Sequence, residues 1–438
     1  MDPVLIGVIA IIVSVVLMFL GLQVAFSMLF VGIVGLMLIR SPAAAFQAVS
    51  SDLFQTFGSY GLSVAPLFVT MGFLASFSGI GNSLFVMIDK FIGHIKGGLA
   101  VATQLACLGF GTICGSIPAA ISAMCSVAYP EMEARNYSNR LSTATIASGA
   151  AMAVIIPPST TLIIFGIATE QSIGRLFLAG IIPGIILAAL YVLAIFIMVT
   201  KNPDYAPTAP KATWKERVQS VSQGGVLEVV IIFALSIGGM FVGWFTPTEA
   251  AAVGALSTLI VTVVEKRIVF ADIVNALFRA TKLAAMVFLL IAAAMVFGRM
   301  VTLSGVPFML AEFVSSLDVP RWVVMSAIVM IYFVLGLFID ELSMILITIP
   351  VFYPIITITL GYDPAWFGII AVLCMIFGAL TPPCGMNLFV IKACLKDIPL
   401  MDLYIGIWPF VLSIFILIAI LLIFPGLPVF LPNLAMGT

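Results

Sequence analysis

Apolar residues along this 438-residue chain fall in long runs separated by short polar stretches. A helix of about 20 apolar residues crosses the ~30 Å hydrocarbon core of a bilayer. Runs near this length therefore predict a series of membrane-crossing helices. The predicted crossings cover residues 5–20, 24–39, 60–78, 175–199, 226–245, 250–264, 283–303 and 399–424.

Four other segments place polar residues on one side of a helix and apolar residues on the other. In residues 81–96, for example, Asp89, Lys90 and His94 share the polar side. This pattern is typical of a helix that lies flat at the membrane interface. We expect four such interfacial arms, over residues 43–57, 81–96, 270–281 and 307–318.

Two segments read as re-entrant hairpins, which enter the membrane and return to the same side. Each consists of two apolar helices of about fifteen residues, and such a helix is too short to span the bilayer. Polar and glycine-rich stretches at 111–118 and 336–341 separate the two arms. The predicted hairpins are residues 98–130 and 322–354.

Two further helices are interrupted by consecutive prolines, at Pro157-Pro158 and at Pro382-Pro383. Proline donates no backbone hydrogen bond and pushes the preceding residue out of the helical region. The helices must therefore break within the membrane and leave free carbonyl oxygens, which lipid cannot satisfy. We predict broken helices over residues 139–169 and 365–394.

The order of these elements occurs twice. The second Pro-Pro pair follows the first by 225 positions, and Tyr137 has its counterpart, Tyr362, at the same spacing. Five crossings plus a returning hairpin in each copy would invert the second copy relative to the first. The predicted fold is an all-α polytopic membrane protein of two inverted-topology repeats, residues 1–200 and 225–438, joined by a linker, 201–224. We call the helices within residues 4–78 and 226–303 the scaffold.

Composition and charge support this placement in a membrane. The chain is 63% hydrophobic and 8% charged, and no basic patch suggests nucleic-acid binding. Fourteen of the 18 Lys and Arg residues fall on the face that holds the linker. By the positive-inside bias the linker is cytoplasmic and both termini lie outside. A single histidine and six cysteines without a CxxC spacing offer little to a transition metal or to histidine-based catalysis.

The hairpin tips and the Pro-Pro breaks should converge near the middle of the membrane. Backbone carbonyls and hydroxyls there can bind a cation without a full buried charge. The alternative is a simple kink whose hydroxyls bond back to their own helix. The candidates are Gly115, Ser116, Pro157, Pro158 and Ser159 in the first half, and Asp340, Ser343, Thr381, Pro382, Pro383 and Asn387 in the second.

Three charged residues need separate interpretations. Asp340 is a functional candidate because intramembrane carboxylates are costly, although it could be an exposed helix cap beside Glu341. Arg299 either extends to the outer interface or contacts an anionic substrate. Glu249 belongs to a predicted capping box that begins at Thr246.

Four strings resemble the large membrane subunit of TRAP (tripartite ATP-independent periplasmic) transporters. The resemblance covers nearly the whole chain. The strings are IPPS at 156–159, SIGRLFLAGIIPG at 172–184, GWFTPTEA at 243–250 and TPPCGMNLF at 381–389.

This resemblance implies a sodium-coupled importer of an organic acid in the bacterial inner membrane, with an elevator fold of the ion-transporter superfamily. The implied substrates are a C4-dicarboxylate, sialic acid or a related sugar acid. The implied partners are a small four-helix membrane subunit and a periplasmic substrate-binding protein. The implied sodium ligands are Gly115, Ser116, Pro157, Pro158, Ser159, Asp340, Thr381, Pro382 and Pro383.

The sequence departs from the family at the first tip, where many relatives carry two successive hydroxyls and this chain has Gly115-Ser116-Ile117. A further hydroxyl would have to come from elsewhere, such as Ser122. With Ser122, the expected substrate contacts are Ser343, Asn387 and Arg299. Two other functions stay open: a stand-alone sodium–carboxylate symporter that needs no binding protein, and an intramembrane enzyme. The enzyme is disfavoured because no nucleophile and base occupy matched positions.

Overall fold

The computed structural model describes residues 2–208, 210–223 and 226–436, and these ranges are almost entirely helical, with no strand. The helices of the first half follow the predicted apolar runs. They are α1 (Pro3–Phe19), α2 (Val24–Ile39), α3 (Pro42–Phe57), α4 (Val64–Phe77), α5 (Ile80–Ile92), α6 (Gly98–Cys114), α7 (Ile117–Ala134), α8 (Asn139–Ala151), α9 (Thr160–Ala168) and α10 (Ile173–Lys201).

The second half repeats this order of elements after the linker. Two stretches of π-helix, Ala234–Gly238 and Ile355–Thr359, continue α12 and α18. The helices are α11 (Trp214–Gln223), α12 (Val226–Phe233), α13 (Gly239–Phe241), α14 (Pro247–Val264), α15 (Phe270–Ser304), α16 (Val306–Ser316), α17 (Arg321–Gly336), α18 (Glu341–Pro354), α19 (Pro364–Leu380), α20 (Met386–Cys394), α21 (Leu400–Ile423) and α22 (Gly426–Met436).

Several of these helices are suited to cross a bilayer. Six of the described helical segments are long and apolar enough to do so on their own, and α1, α2, α17 and α19 are apolar but slightly shorter. The chain is therefore a multi-pass, all-α membrane protein. The six segments are Tyr60–Phe77, Ile173–Lys201, Pro247–Val264, Phe270–Ser304, Glu341–Thr359 and Leu400–Ile423. Glu341–Thr359 contains the second arm of the predicted hairpin 322–354 and is longer than the fifteen or so residues expected, because π-helix continues α18 beyond Pro354.

One predicted boundary is wrong. The arm at 270–281 and the crossing at 283–303 form a single helix, α15, of 35 residues. The sequence between them, Thr281-Lys282-Leu283, contains neither glycine nor proline, so nothing interrupts the backbone hydrogen bonds. The change in polarity at this point marks a change of surroundings and not the end of a helix.

Two helices lie where the sequence analysis predicts none. α11 occupies the polar linker, and α22 follows the last predicted crossing. α11 carries a capping signal: the Glu216 carboxylate accepts a hydrogen bond from the Thr213 backbone N–H (2.8 Å), and the Glu216 N–H donates to the Thr213 hydroxyl (3.3 Å). This Thr-x-x-Glu pattern could have identified α11. The capping box predicted at Thr246 and Glu249 is confirmed.

The two broken helices occupy the centre of the protein. In α8 every residue from 141 to 151 is buried, and in α19 every residue from 365 to 376 is buried. α8 packs against α6, α7 and α21, whereas α19 packs against α17, α18, α10 and α21. Outside this centre, α15 packs along the scaffold helices α2 and α4.

The hairpins cross the broken helices at matched positions. In the first half, Gly111 of α6 lies so close to Ala153 that a Cβ on the glycine would be 2.8 Å from the Ala153 Cα. In the second half, a Cβ on Gly336 of α17 would be 3.3 Å from the Gly378 Cα. Gly336 and Gly378 each lie 225 positions after their first-half counterparts. A side chain is therefore excluded at Gly111 of the first hairpin and at Gly378 of the second broken helix, where a Cβ would lie 2.3 Å from the Gly336 backbone.

Candidate functional site

The first break separates α8 from α9 at residues 155–158. A 3₁₀ turn, Met152–Val154, precedes the break, and the Pro157–Pro158 peptide bond is cis. Ser159 is fully buried and caps α9: its Oγ accepts from the Leu162 N–H (3.1 Å) and donates to the Val154 carbonyl (2.5 Å). The Ser159 hydroxyl thus connects the two halves of the broken helix.

Gly115 brings the first hairpin tip against this break. Its φ of +55° lies in the left-handed region that glycine adopts without strain. The Gly115 carbonyl accepts a hydrogen bond from the Thr160 hydroxyl (3.0 Å), and a Cβ at Gly115 would lie 3.0 Å from the Pro158 carbonyl oxygen. Ser116 follows as the half-buried N-cap of α7. The first tip and the first break are therefore in direct contact.

The second break, residues 381–385, is more open to the surroundings. Thr381 ends α19, and its hydroxyl donates to the Phe377 carbonyl (2.5 Å). The Pro382–Pro383 peptide bond is cis, as in the first break. Pro383 is exposed, and its carbonyl accepts a hydrogen bond from the Tyr404 hydroxyl (2.7 Å).

Asp340 lies at the tip of the second hairpin, where α18 begins. As the N-cap of α18 it accepts a hydrogen bond from the Ser343 N–H at Oδ2 (3.2 Å). The side chain is half-buried and lines a cavity of about 360 Å³. Asp340 therefore caps a helix and also faces a space that is large enough for a small ligand.

The cavity beside Asp340 lies between the second hairpin and the scaffold. Its scaffold wall comes from the α1–α2 turn, including Gln23, and from Met286 of α15. At its rim the rings of Phe19 and Phe338 meet edge to face, with centroids 5.5 Å apart. This wall was not predicted from the sequence, although the position of Gln23 between two apolar runs was a usable signal.

Three other predicted residues occupy different surroundings. Ser343 is 2% exposed and lines the same cavity as Asp340. Asn387, at the start of α20, is 5% exposed, and its Nδ2 has no hydrogen-bond partner among the described residues. Ser122 is exposed on α7, beyond the first tip. The structure thus places only Ser343 beside Asp340.

Arg299 forms an ion pair that the sequence analysis did not predict. Its Nε donates to Asp52 Oδ2 (2.7 Å), and a second guanidinium nitrogen contacts the other carboxylate oxygen. Asp52, on α3, is 2% exposed, whereas the Arg299 side chain is 43% exposed. Arg299 lines a second cavity, of about 450 Å³, with Pro350 of α18. Both cavities therefore lie where α15 of the scaffold packs against α18 of the second hairpin.

The two halves of the chain interlock around the breaks. α9, which follows the first break, packs against α18 of the second hairpin. α20, which follows the second break, packs against α7 of the first hairpin. Each half-helix thus contacts the hairpin of the other half, so the two breaks belong to one packed body.

Two ion pairs join the halves at the ends of this body. Arg140, at the start of α8, pairs with Asp402 at the start of α21 (2.8 Å). Arg175, at the start of α10, pairs with Asp363 at the N-cap of α19 (2.8 Å). In both pairs the first half supplies the arginine and the second half the aspartate.

Comparison with known structures shows the class of fold. The chain is similar to the YdaH transporter of Alcanivorax borkumensis, whose crystal structure was described as having an unusual topology. The TM-score is 0.64 at 14% sequence identity, over 88% of this chain and 89% of that one. This likeness shows that the two chains share a fold.

Sequence comparison shows the family. Residues 11–427 match the family described as tripartite ATP-independent periplasmic transporter, DctM component. The chain is 32% identical to the C4-dicarboxylate TRAP transporter large permease protein DctM of Pseudomonas aeruginosa, over 88% of this chain and 90% of that protein. It is 33% identical to the sialic acid permease SiaM of Vibrio cholerae and to the ectoine permease TeaC of Halomonas elongata, over 96% of this chain and 97% of each. The chain belongs to the large membrane subunits of TRAP transporters.

Proposed function

We propose that this chain imports an organic acid across the inner membrane, driven by sodium ions. The similar permeases are named for C4-dicarboxylates, sialic acid and ectoine, which supports a small organic acid as substrate. Membership of the family supports the two expected partners, a small four-helix membrane subunit and a periplasmic substrate-binding protein.

The observation that carries this proposal is the position of Asp340. It is a carboxylate at a hairpin tip within the membrane-embedded part, and it faces a cavity between the hairpin and the scaffold. An acidic substrate in that cavity would be repelled by Asp340 unless a cation lay between them. A bound sodium ion offsets this repulsion, and substrate and ion then bind together.

We propose two sodium sites, one in each half of the chain. Each is formed by a hairpin tip and the Pro-Pro break of the same half. Each carbonyl oxygen has two lone pairs, so the hydrogen bonds from Thr160 to Gly115 and from Tyr404 to Pro383 leave one free for an ion. The proposed ligands are Gly115, Ser116, Pro157, Pro158 and Ser159 at the first site, and Asp340, Thr381, Pro382 and Pro383 at the second.

The substrate contacts are proposed from the groups that can donate hydrogen bonds. The Asn387 amide has an unused donor, and Arg299 faces its cavity with a half-exposed guanidinium. We include Ser343, which lies beside Asp340, and Ser122, which is exposed on α7.

We propose that transport occurs by an elevator motion of two inverted repeats. The matched glycine contacts support an internal two-fold relation, and so do the ion pairs that join the start of α8 to α21 and the start of α10 to α19. The contact between α15 and α18 is the surface along which the hairpins and broken helices would move together past the scaffold. The charge bias of the sequence supports a cytoplasmic linker and periplasmic termini.

Uptake into proteoliposomes tests the function. The large and small membrane subunits are reconstituted together, and labelled organic acid is added with or without sodium and with or without the binding protein. We expect uptake only when sodium and the binding protein are both present. Uptake without sodium would refute the coupling, and sodium-driven uptake without binding protein would favour the stand-alone symporter.

Cross-linking tests the elevator. In a cysteine-free background, F19C and F338C are joined by a short bis-maleimide, which ties the scaffold to the second hairpin. We expect transport to stop while substrate still binds. The control pair F333C and F377C, whose native rings stack at 3.9 Å within the moving body, should leave transport intact when cross-linked. Full transport with the first pair cross-linked would exclude an elevator motion.

A further inference from the structure

The two cavities between α15 and α18 lie at different levels along the same pair of helices. Asp340, at the start of α18, and Met286 of α15 line the first cavity. Pro350 of α18 and Arg299 of α15 line the second, where a Cβ on Gly298 would be 3.2 Å from the Pro350 ring. The two helices therefore run in the same direction, with Asp340 near one end of their contact and Arg299 near the other.

About 15–20 Å separates Asp340 from Arg299 along this contact. On α15, Arg299 follows Met286 by 13 residues. On α18, Pro350 follows Asp340 by ten residues, and each helical residue rises ~1.5 Å. Residues 283–298 of α15 carry no charge. Arg299 is therefore the first charged residue that Asp340 would reach by moving along α15 toward its end.

Arg299 lies at the outer end of this path in the proposed topology. Periplasmic termini put the α1–α2 turn, which lines the cavity at Asp340, on the cytoplasmic side. α15 then runs outward, and its end at Ser304 is periplasmic. The structure therefore corresponds to the inner position of the proposed elevator. An outward movement of the second hairpin by the distance above would bring Asp340 to Arg299.

Arg299 has hydrogen-bond donors left for a second anion. Its Nε and one other nitrogen bind the buried Asp52 carboxylate, which fixes the guanidinium on the scaffold. The other three of its five N–H groups have no partner among the described residues, and the side chain is 43% exposed beside the cavity. A carboxylate that reached this level would therefore meet a cation that is already held in place.

The Asp340 carboxylate is suited to be this second partner. It is the only charged side chain among the described residues that line its cavity. An intramembrane carboxylate without a cation is costly. Pairing with Arg299 would offset that cost in the outer position, whereas the cavity of the inner position offers no basic residue.

We propose that Asp340 and Arg299 form an ion pair in the outer position when the second sodium site is empty. A sodium ion that binds Asp340 then releases Arg299, whose N–H groups become available to the carboxylate of the substrate. The pair thus holds the empty transporter open to the periplasm and makes the contact of Arg299 with substrate depend on sodium. This inference rests on the proposed function and deepens it, because it gives Arg299 a different partner in each state.

Disulfide cross-linking tests whether the two residues meet. In a cysteine-free background, R299C/D340C is reconstituted with the small membrane subunit and oxidised with copper phenanthroline in sodium-free buffer. We expect a disulfide, which the separation in the inner position forbids. The control R321C/D340C joins the starts of α17 and α18, about 20 Å apart within one hairpin. It should stay reduced, because the hairpin moves as a unit.

The rate of the F19C–F338C cross-link in sodium-free buffer tests the pairing, because this rate reports the occupancy of the inner position. R299Q alone would leave Asp52 buried without a partner, so D52N/R299Q is compared with D52N, which keeps Arg299. We expect D52N/R299Q to react at least about fivefold faster, at the lower end of typical coupling between two sites. D340N should also raise the rate, and D52N/R299Q added to D340N should raise it no further.

Three outcomes would overturn the inference. Absence of the R299C–D340C disulfide would show that the two residues do not meet. An unchanged rate in D52N/R299Q would show that no pair holds the outer position, and equal effects of D52N/R299Q with and without D340N would show that Arg299 acts through another group. None of these would refute the elevator if the F19C–F338C cross-link stops transport. If that cross-link leaves transport intact, the proposed function itself is wrong.

Discussion

The two Pro-Pro breaks share a backbone plan but differ in exposure and charge. In the first break Pro157, Pro158 and Ser159 are all buried, and the tip at Gly115 contacts the neutral residues Pro158 and Thr160. In the second break Pro383 is exposed, and the corresponding tip carries Asp340 beside an open cavity. The first break is thus buried and contacts a neutral tip, whereas the second is more exposed and its hairpin tip is charged.

This difference indicates how the two halves of a repeated fold can contribute differently to sodium binding. The first of the two proposed sodium sites would hold an ion through oxygen dipoles, which cost little when no ion is bound. The second proposed site contains the Asp340 carboxylate, which is costly without a cation and would gain more from one. We therefore expect the dependence of transport on sodium to be set mainly in the second half.

The largest expected effect is that of Asp340→Asn. Asparagine keeps the size and can still accept the hydrogen bond from Ser343, but it removes the charge. We expect a loss of transport of at least about tenfold, corresponding to ~1.4 kcal/mol. Initial uptake rates at several sodium concentrations measure it, with Asp318→Asn, an exposed acid at the end of arm α16, as the control.

The first tip offers the matching test. Thr160→Val removes the hydrogen bond to the Gly115 carbonyl, and a neutral bond of this kind contributes about 1 kcal/mol. We expect a loss of only a few-fold, without a change in the sodium concentration needed for half-maximal uptake. If Thr160→Val shifted that concentration more than Asp340→Asn, the expected difference between the halves would be wrong.

An effect on stability, and a smaller one on transport, is expected where the hairpins contact the broken helices. Gly378→Ala places a Cβ against the backbone of Gly336, closer than Cβ atoms normally approach. Such overpacking costs about 1–3 kcal/mol. The thermal unfolding temperature of the purified protein should fall. Ala153→Gly at the matched first-half position adds no atoms and should lower it less, by the roughly 0.5–1 kcal/mol that glycine costs in a helical segment. An unchanged unfolding temperature for Gly378→Ala would show that this contact has room for a Cβ.

The smallest effects are expected at the ion pairs Arg140–Asp402 and Arg175–Asp363. Solvent screens partly exposed pairs of this kind, so each contributes little to stability. Double-mutant cycles on Arg140 with Asp402 and on Arg175 with Asp363 should give similar coupling energies if the halves are related by two-fold symmetry. A coupling energy present in one cycle and absent in the other would argue against that symmetry.

Sequence patterns were sufficient to predict most of the helices. Hydropathy located the crossings, and the prolines at 157 and 382 located both breaks, because proline acts on the backbone directly. Continuity of α15 could not be read from hydropathy, since a helix that leaves the membrane changes polarity without ending. α11 was hidden in a polar linker, where only its capping residues marked its start.

Site residues could be predicted only where the residue type has few possible roles within an apolar helix. Asp340 stood out because a carboxylate is rare in an apolar run. Gln23 and Met286 did not, because they reach the cavity only when the scaffold folds against the second hairpin. The partner of Arg299 was equally hidden, since Asp52 is 247 positions away in the chain.

The unbroken course of α15 also has a mechanical consequence. Its 35 residues extend for about 52 Å at ~1.5 Å per residue, well beyond a ~30 Å hydrocarbon layer. In the first half, the equivalent length is jointed, because α3 ends at Phe57 and a separate helical segment begins at Tyr60. A continuous helix resists bending along its whole length, whereas a helix interrupted at residues 58–59 can bend there. Under the proposed elevator motion, the scaffold would therefore be stiffer along α15 than along α3 and the helical segment that follows it.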